Sequence, residues 1–206
     1  MKRIILITAV ILTGITSTMQ AQFAVLDPVN LVENMITALE TGSTTANVIE
    51  TFNQVKKVYE QGKEYYDKLK SVHNVIKDAK KVKDAVLLVG EISDIYVNSF
   101  GKMLSDPHFR QEELTAISNG YTILLQESAD MLKEIKDVVN ENNELSMTDA
   151  ERINIINYVY DRLKNHRNLV SYYTRKNISI SYLRAKKAGD SERVVALYGS
   201  TDDRYW

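Results

Sequence analysis

The chain has no cysteine. That absence excludes a disulfide framework, a lipoprotein anchor and a cysteine nucleophile. Only two prolines, Pro28 and Pro107, and eight glycines interrupt 206 residues, so helix breakers are sparse. There is no Gly-rich phosphate loop and no nucleophile elbow. Gly62, Gly90 and Gly120 stand alone and fit close helix packing better. The three histidines, His73, His108 and His166, are far apart, and none has Asp, Glu or Cys at metal-ligand spacing. The carboxylates sit on polar helix faces, where a solvated role is the default for such groups, and no glycosidase-like pair stands out. No catalytic residue, metal ligand or cofactor is therefore assigned, and an enzyme is not expected. A Ser/His/Asp site assembled from distant residues stays open, but nothing favours it.

Long hydrophobic runs are also missing, with one exception at the start. Lys2 and Arg3 precede an apolar run over residues 4–15, and residues 16–21 are polar and end in a small residue. This is the pattern of a secretory signal peptide, with cleavage expected between Ala21 and Gln22. The run is too short for a membrane span of ~20 residues; the alternative is an uncleaved N-terminal anchor. Cleavage would remove two positive charges, leaving 24 basic residues against 27 acidic ones, a net charge of −3. The ~185 remaining residues suit one domain with its own core. The next most apolar stretch, residues 85–104, is interrupted by Glu91, Asp94 and Lys102.

What the chain does have is helical periodicity. Val48, Phe52, Val55, Tyr59, Gly62, Tyr66, Leu69, His73 and Ile76 follow one another in alternating steps of four and three. That spacing keeps one helix seam on one partner, as in coiled-coil-like packing. Before it, Asp27 and Pro28 signal a helix start, and Val32, Met35, Ile36 and Leu39 share a face. Past Ile76 the apolar stripe shifts phase, which predicts a bend near residues 77–84. Residues 84–104 are the most apolar helix, expected to be the most buried. Asp106 and Pro107 repeat the start signal, for a helix expected to run from there to about Asn140. After a polar turn, Ser146 with Asp149 reads as a capping box for the next helix. Within that helix, Ile178, Ile180 and Tyr182 alternate with polar residues, but the longer helical pattern prevails over a strand. Ala188 and Gly189 end it; Asp190 caps a last helix over residues 191–198, which Gly199 ends. The fold class is all-α: an elongated bundle of coiled-coil-like long helices, with a short C-terminal helix and tail.

Charge is segregated along the last two long helices. Residues 162–187 hold eight Lys+Arg and no Asp or Glu, whereas residues 127–151 hold eight acids and two lysines. An antiparallel hairpin about residues 140–145 would leave much of the basic stretch without acidic neighbours. Pairing with the helix over residues 48–76 would give it a solvated, structural role. Otherwise Arg167, Arg175, Lys176, Arg184, Lys186 and Lys187, mixed with Tyr172 and Tyr173, form a contact surface for an acidic partner or a membrane surface. Direct nucleic-acid binding is not expected of a net acidic, exported chain. The end of the chain, Tyr198 with Arg204, Tyr205 and the lone Trp206, is too aromatic for a frayed terminus and is expected to dock, on its own bundle or in a neighbouring subunit.

Several of these segments together resemble one family. A signal peptide is followed by an extended segment and DPVN at residues 27–30, then a long helical segment and a helical hairpin. VGEISDIYVNSF at 89–100, RNLVSYYTRKNI at 167–178, YLRAKK at 182–187, ALYG at 196–199 and RYW at 204–206 are similar to the conjugative-transposon branch of the TrbJ-type conjugal transfer proteins. These are relatives of the minor pilin of type IV secretion systems. The resemblance implies a helical bundle with a small appendage, exported to the periplasm or cell surface of a Gram-negative bacterium. It implies a non-enzymatic subunit of a mating apparatus that assists assembly or recipient contact. The partners implied are other secretion subunits and further copies of the same chain. The alternative is a periplasmic helical binding or adhesion module outside any conjugation system.

Overall fold

A computed structural model describes residues 28–43, 48–71, 77–140 and 147–200. Among these residues there are six α-helices and no strand: α1 Pro28–Ser43, α2 Val48–Ser71, α3 Lys77–Met103, α4 Gln111–Asn140, α5 Asp149–Ala188 and α6 Ser191–Tyr198. The fold is all-α, as the periodicity requires. The signal peptide with its cleavage residues Ala21 and Gln22, the capping residue Asp27, His73 and Ile76 of the seam, and Arg204, Tyr205 and Trp206 of the tail lie outside the described residues.

Consecutive helices alternate in direction. Leu31 of α1 packs on Gly62 of α2; Phe52 and Tyr66 of α2 pack on Gly101 and Gly90 of α3. The predicted seam of α2 is therefore its core face: Val48, Phe52, Val55, Tyr59 and Tyr66 are all buried. The α1 face of Val32, Met35, Ile36 and Leu39 is buried as well. Helices α1, α2, α3 and α4 pack in a closed four-membered ring, and α5 lies in the groove between α3 and α4. It runs parallel to α3, with Lys81 near Tyr160 and Glu91 beside Arg167, and antiparallel to α4, with Glu134 beside Arg162 and Glu113 beside Arg184.

Rings crowd the centre. Tyr96 and Phe100 of α3 stack with centroids 5.5 Å apart, and both meet Tyr121 of α4, at 4.9 and 6.0 Å. Phe52 reaches them from α2 and Tyr173 reaches Tyr121 from α5, edge-on in each case. Such offset and edge contacts add to the burial of the rings themselves. Buried residues from all six helices join one hydrophobic core.

Three boundaries differ from the sequence reading. A single helix, α3, runs through residues 77–84 where a bend was expected; residues 72–76, between α2 and α3, lie outside the described residues. Its first turns are lysine-rich and only partly covered, so the apolar pattern alone placed the start late. Asp106 does not start α4, which begins only at Gln111; there Glu113 accepts from the Arg110 backbone N–H at 2.9 Å. The capping box of α5 is Thr148 with Glu151, not Ser146 with Asp149. Glu151 Oε2 accepts from the Thr148 N–H at 2.7 Å, and the Glu151 N–H donates back to the Thr148 hydroxyl. The longer glutamate side chain reaches back across the turn. Gly189 ends α5 in the left-handed conformation, φ 72°, as the C-terminal stop predicts.

Candidate functional site: the outer face of the long helix

Helix α5 has 40 residues, and one face serves the core. Val159, Leu163, His166, Val170, Thr174 and Ile178 are buried there at helical spacing. His166 Nε2 lies 2.8 Å from the Leu124 carbonyl, and its Nδ1 lies 3.2 Å from Glu127. The Tyr121 and Thr174 hydroxyls bond at 2.7 Å. These links hold α5 in fixed register on α4.

The residues assigned to partner contact divide on this scaffold. Arg184 is built into the bundle: its guanidinium donates to both Glu113 oxygens, at 2.8 and 2.6 Å, and to the His108 carbonyl at 2.7 Å. The Arg184 guanidinium, with the Arg110 N–H, holds the Glu113 carboxyl far below the ordinary range. Tyr173 is half-buried; it donates to the Ile117 carbonyl and covers Gly120. Arg167 pairs with Glu91 of α3 in an exposed ion pair. The charge pairing of the basic stretch is thus with α3 and α4. Tyr172, Arg175, Lys176, Lys186 and Lys187 remain on the surface. The Lys176 ammonium sits 5.4 Å from the Tyr172 ring centroid, a cation–π pair. What this face offers is a row of cations with aromatic neighbours on a rigid rod.

A second cluster, at the end of the bundle, escaped sequence reasoning. Asp106 lies in the turn between α3 and α4, and its carboxylate is buried. It accepts from the Ser181 hydroxyl at 2.5 Å, the Tyr198 hydroxyl at 2.8 Å and the His108 N–H at 2.9 Å, with His108 Nδ1 also at 2.9 Å. Burial opposes its ionisation, but these donors together outweigh burial and hold the carboxyl below its ordinary value. Burial first, then the hydrogen bond to Asp106 and the Asp106 charge, push the Tyr198 hydroxyl far up, so it stays a neutral donor. Tyr198, expected in an assembly tail, is therefore buried in its own bundle with Val194 and stands beside Tyr182. Asp190 makes no cap bond to α6; its carboxylate faces Arg193 and His108. The partners of Asp106 stand 75 and 92 residues along the chain, and no local motif announces them.

A groove of about 230 Å³ between α2 and α3 is lined by Tyr59, Lys63, Asp67, Lys70, Glu91 and Asp94 among others. Tyr59 donates to Asp94 across it at 2.7 Å. Among the described residues no group of three or more His, Asp or Glu could hold a metal ion, and no helix is long and apolar enough to cross a membrane. No family model, curated protein or solved structure matches the chain.

Proposed function

We propose that this chain is a non-enzymatic structural subunit of a conjugative type IV secretion apparatus, minor-pilin-like, acting in assembly or recipient contact. It is exported to the periplasm or cell surface of a Gram-negative bacterium and works there with other secretion subunits, not with nucleic acid. The observation that carries the reading is the outward half of α5, where Tyr172, Arg175, Lys176, Lys186 and Lys187 are exposed along a helix pinned in place by α3 and α4. A surface of that kind recognises an acidic protein partner. The buried polar side chains Asp106, Ser181, Thr174 and His166 are engaged in tying helices together, Thr174 through the Tyr121 hydroxyl. The sequence segments that resemble the TrbJ-type proteins include this same stretch.

An in-frame deletion in the donor strain tests the reading. Transfer of the mobile element should be lost and restored by the wild-type gene, and the protein should fractionate with the cell envelope. Undiminished transfer, or recovery of the chain in the cytosol, would overturn it. The second reading, a periplasmic helical binding module, is favoured by the groove between α2 and α3. Its 230 Å³ is below the ~300 Å³ at which ordinary small-molecule sites begin, so it ranks second.

A further inference from the structure

Helix α5 carries a second apolar line that stays exposed among the described residues. Tyr158, Leu169, Tyr172, Ile180 and Leu183 are 63, 48, 52, 41 and 52 % exposed. On the same line only Arg162, Asn165 and Lys176 stand between them, so the steps run four, three, four, three, four, four and three. At ~100° per residue these positions fall within a strip about 80° wide, whose centre lies roughly 120° round the helix from the line of Val159, Leu163 and Val170. The two cations on the strip lie over its tyrosines, Arg162 5.5 Å from the Tyr158 ring and Lys176 5.4 Å from the Tyr172 ring, so both stems add apolar cover. Arg162 is also neutralised by Glu134. Ile123 of α4, 63 % exposed, stands level with Leu169, since its neighbour Leu124 receives His166.

We propose that a second copy of this chain covers the strip, with the two α5 helices packed antiparallel about a two-fold axis near residues 170–171. The strip is self-complementary in that register. Tyr158 meets Leu183 of the second copy, and Leu169 meets Tyr172 of the second copy, each contact made twice. The charges select the same orientation. The acids of α5, Asp149, Glu151 and Asp161, all lie in its first part, among Arg152, Arg162, Lys164 and Arg167; the last part holds Arg175, Lys176, Arg184, Lys186 and Lys187 with no acid. Antiparallel packing brings Asp161 within about one turn of Lys176 of the second copy, and Glu151 within about one turn of its Lys187. Parallel packing would set the basic half against itself. The five side chains expose on the order of 500 Å² per copy, so the dimer removes ~1,000 Å² of apolar area before flanking atoms are added, the low end of a specific interface. The dimer takes Tyr172, Lys176 and Lys187 from the surface proposed above and leaves Arg175 and Lys186, which fall outside the strip, open to another subunit; dimerisation is tested on the purified protein alone, apart from the conjugation reading.

The absence of cysteine gives a clean background for the test. The purified chain, as the cell processes it, should sediment as a concentration-dependent dimer in the range of ~10–100 μM, and Leu169→Glu should weaken association at least ~10-fold. Leu169 is half exposed, so the variant should keep the wild-type CD spectrum and melting temperature, which separates lost association from lost folding. Under mild oxidation, a mixture of Tyr158→Cys and Leu183→Cys chains should give mixed disulfide dimers, and neither variant alone should give them. A wild-type chain monomeric at ~100 μM, an unaffected Leu169→Glu dimer, or self-linked Tyr158→Cys would each overturn the proposal. So would binding of a monomeric chain to vesicles of anionic phospholipid, which would give the strip to a lipid surface.

Discussion

Replacing Asp106 by Asn tests how α6 and the end of α5 are held. The carboxylate receives the Ser181 and Tyr198 hydroxyls and the His108 N–H in a pocket closed to water. Asparagine offers one acceptor oxygen in place of two, and its NH₂ group turns a donor toward groups that are themselves donors. A hydrogen bond to a charged group contributes roughly 1.5–3 kcal/mol. The hydroxyls can turn elsewhere in part, so the net loss should be about 3 kcal/mol, within the range for disrupting a buried polar network. In a domain of this size that lowers Tm by about 6–12 °C. Tyr198→Phe should cost about 1–2 kcal/mol by itself. The two changes remove one interaction between them, so the double variant should fall short of additivity by at least ~1 kcal/mol. Calorimetric melts of the four proteins measure this directly. A shift below about 2 °C for Asp106→Asn, or strict additivity, would refute the anchoring role.

Phe100→Ala empties the centre of the aromatic cluster, where Phe100 is fully buried, and should cost about 3–5 kcal/mol in thermal unfolding. Gly120→Ala puts a methyl group where the Tyr173 hydroxyl now lies; the ring must move and its bond to Ile117 is lost, for roughly 1–3 kcal/mol, read by melting and by the near-UV CD of tyrosine. Asp106 and Glu113 are both held below their ordinary values of 3.8 and 4.5, so the stability they contribute is complete above about pH 5 and declines as pH falls through the lower folded values. Acid unfolding should therefore loosen α6 first, seen as faster amide exchange over 191–198, and Asp106→Asn should flatten the stability slope below about pH 4.

Where one side of a helix meets the core, periodicity located it. The faces of α1 and α2 and the limits of α6 follow from apolar spacing and end signals, because both are local properties. Asp106 and Pro107 misled because the same residues that start a helix also make a turn, and Ser181 and Tyr198 decide between the two from far along the chain. Two capping signals overlap: Ser146 with Asp149 carries the shorter acid, whereas Thr148 with Glu151 is the usual Ser/Thr-x-x-Glu form, and its longer side chain closes the turn. In the basic stretch, charge counts identified an unneutralised surface but not its members. Arg184 and Tyr173 turn inward toward Glu113 and Ile117, whereas Arg175 and Lys176 stay out. The second apolar line of α5 shares its helix with the core line, so the two blur each other in any simple amphipathic pattern.

The proposed role places contact with partner subunits on the outer face of α5. The decisive strain is a donor whose only copy carries Arg175→Glu and Lys186→Glu, because both side chains are exposed and stand outside the apolar strip. With helical CD and melting temperature unchanged, transfer should fall close to that of the deletion strain, and co-purifying secretion subunits should be lost. Wild-type transfer by a stably expressed double variant would contradict it.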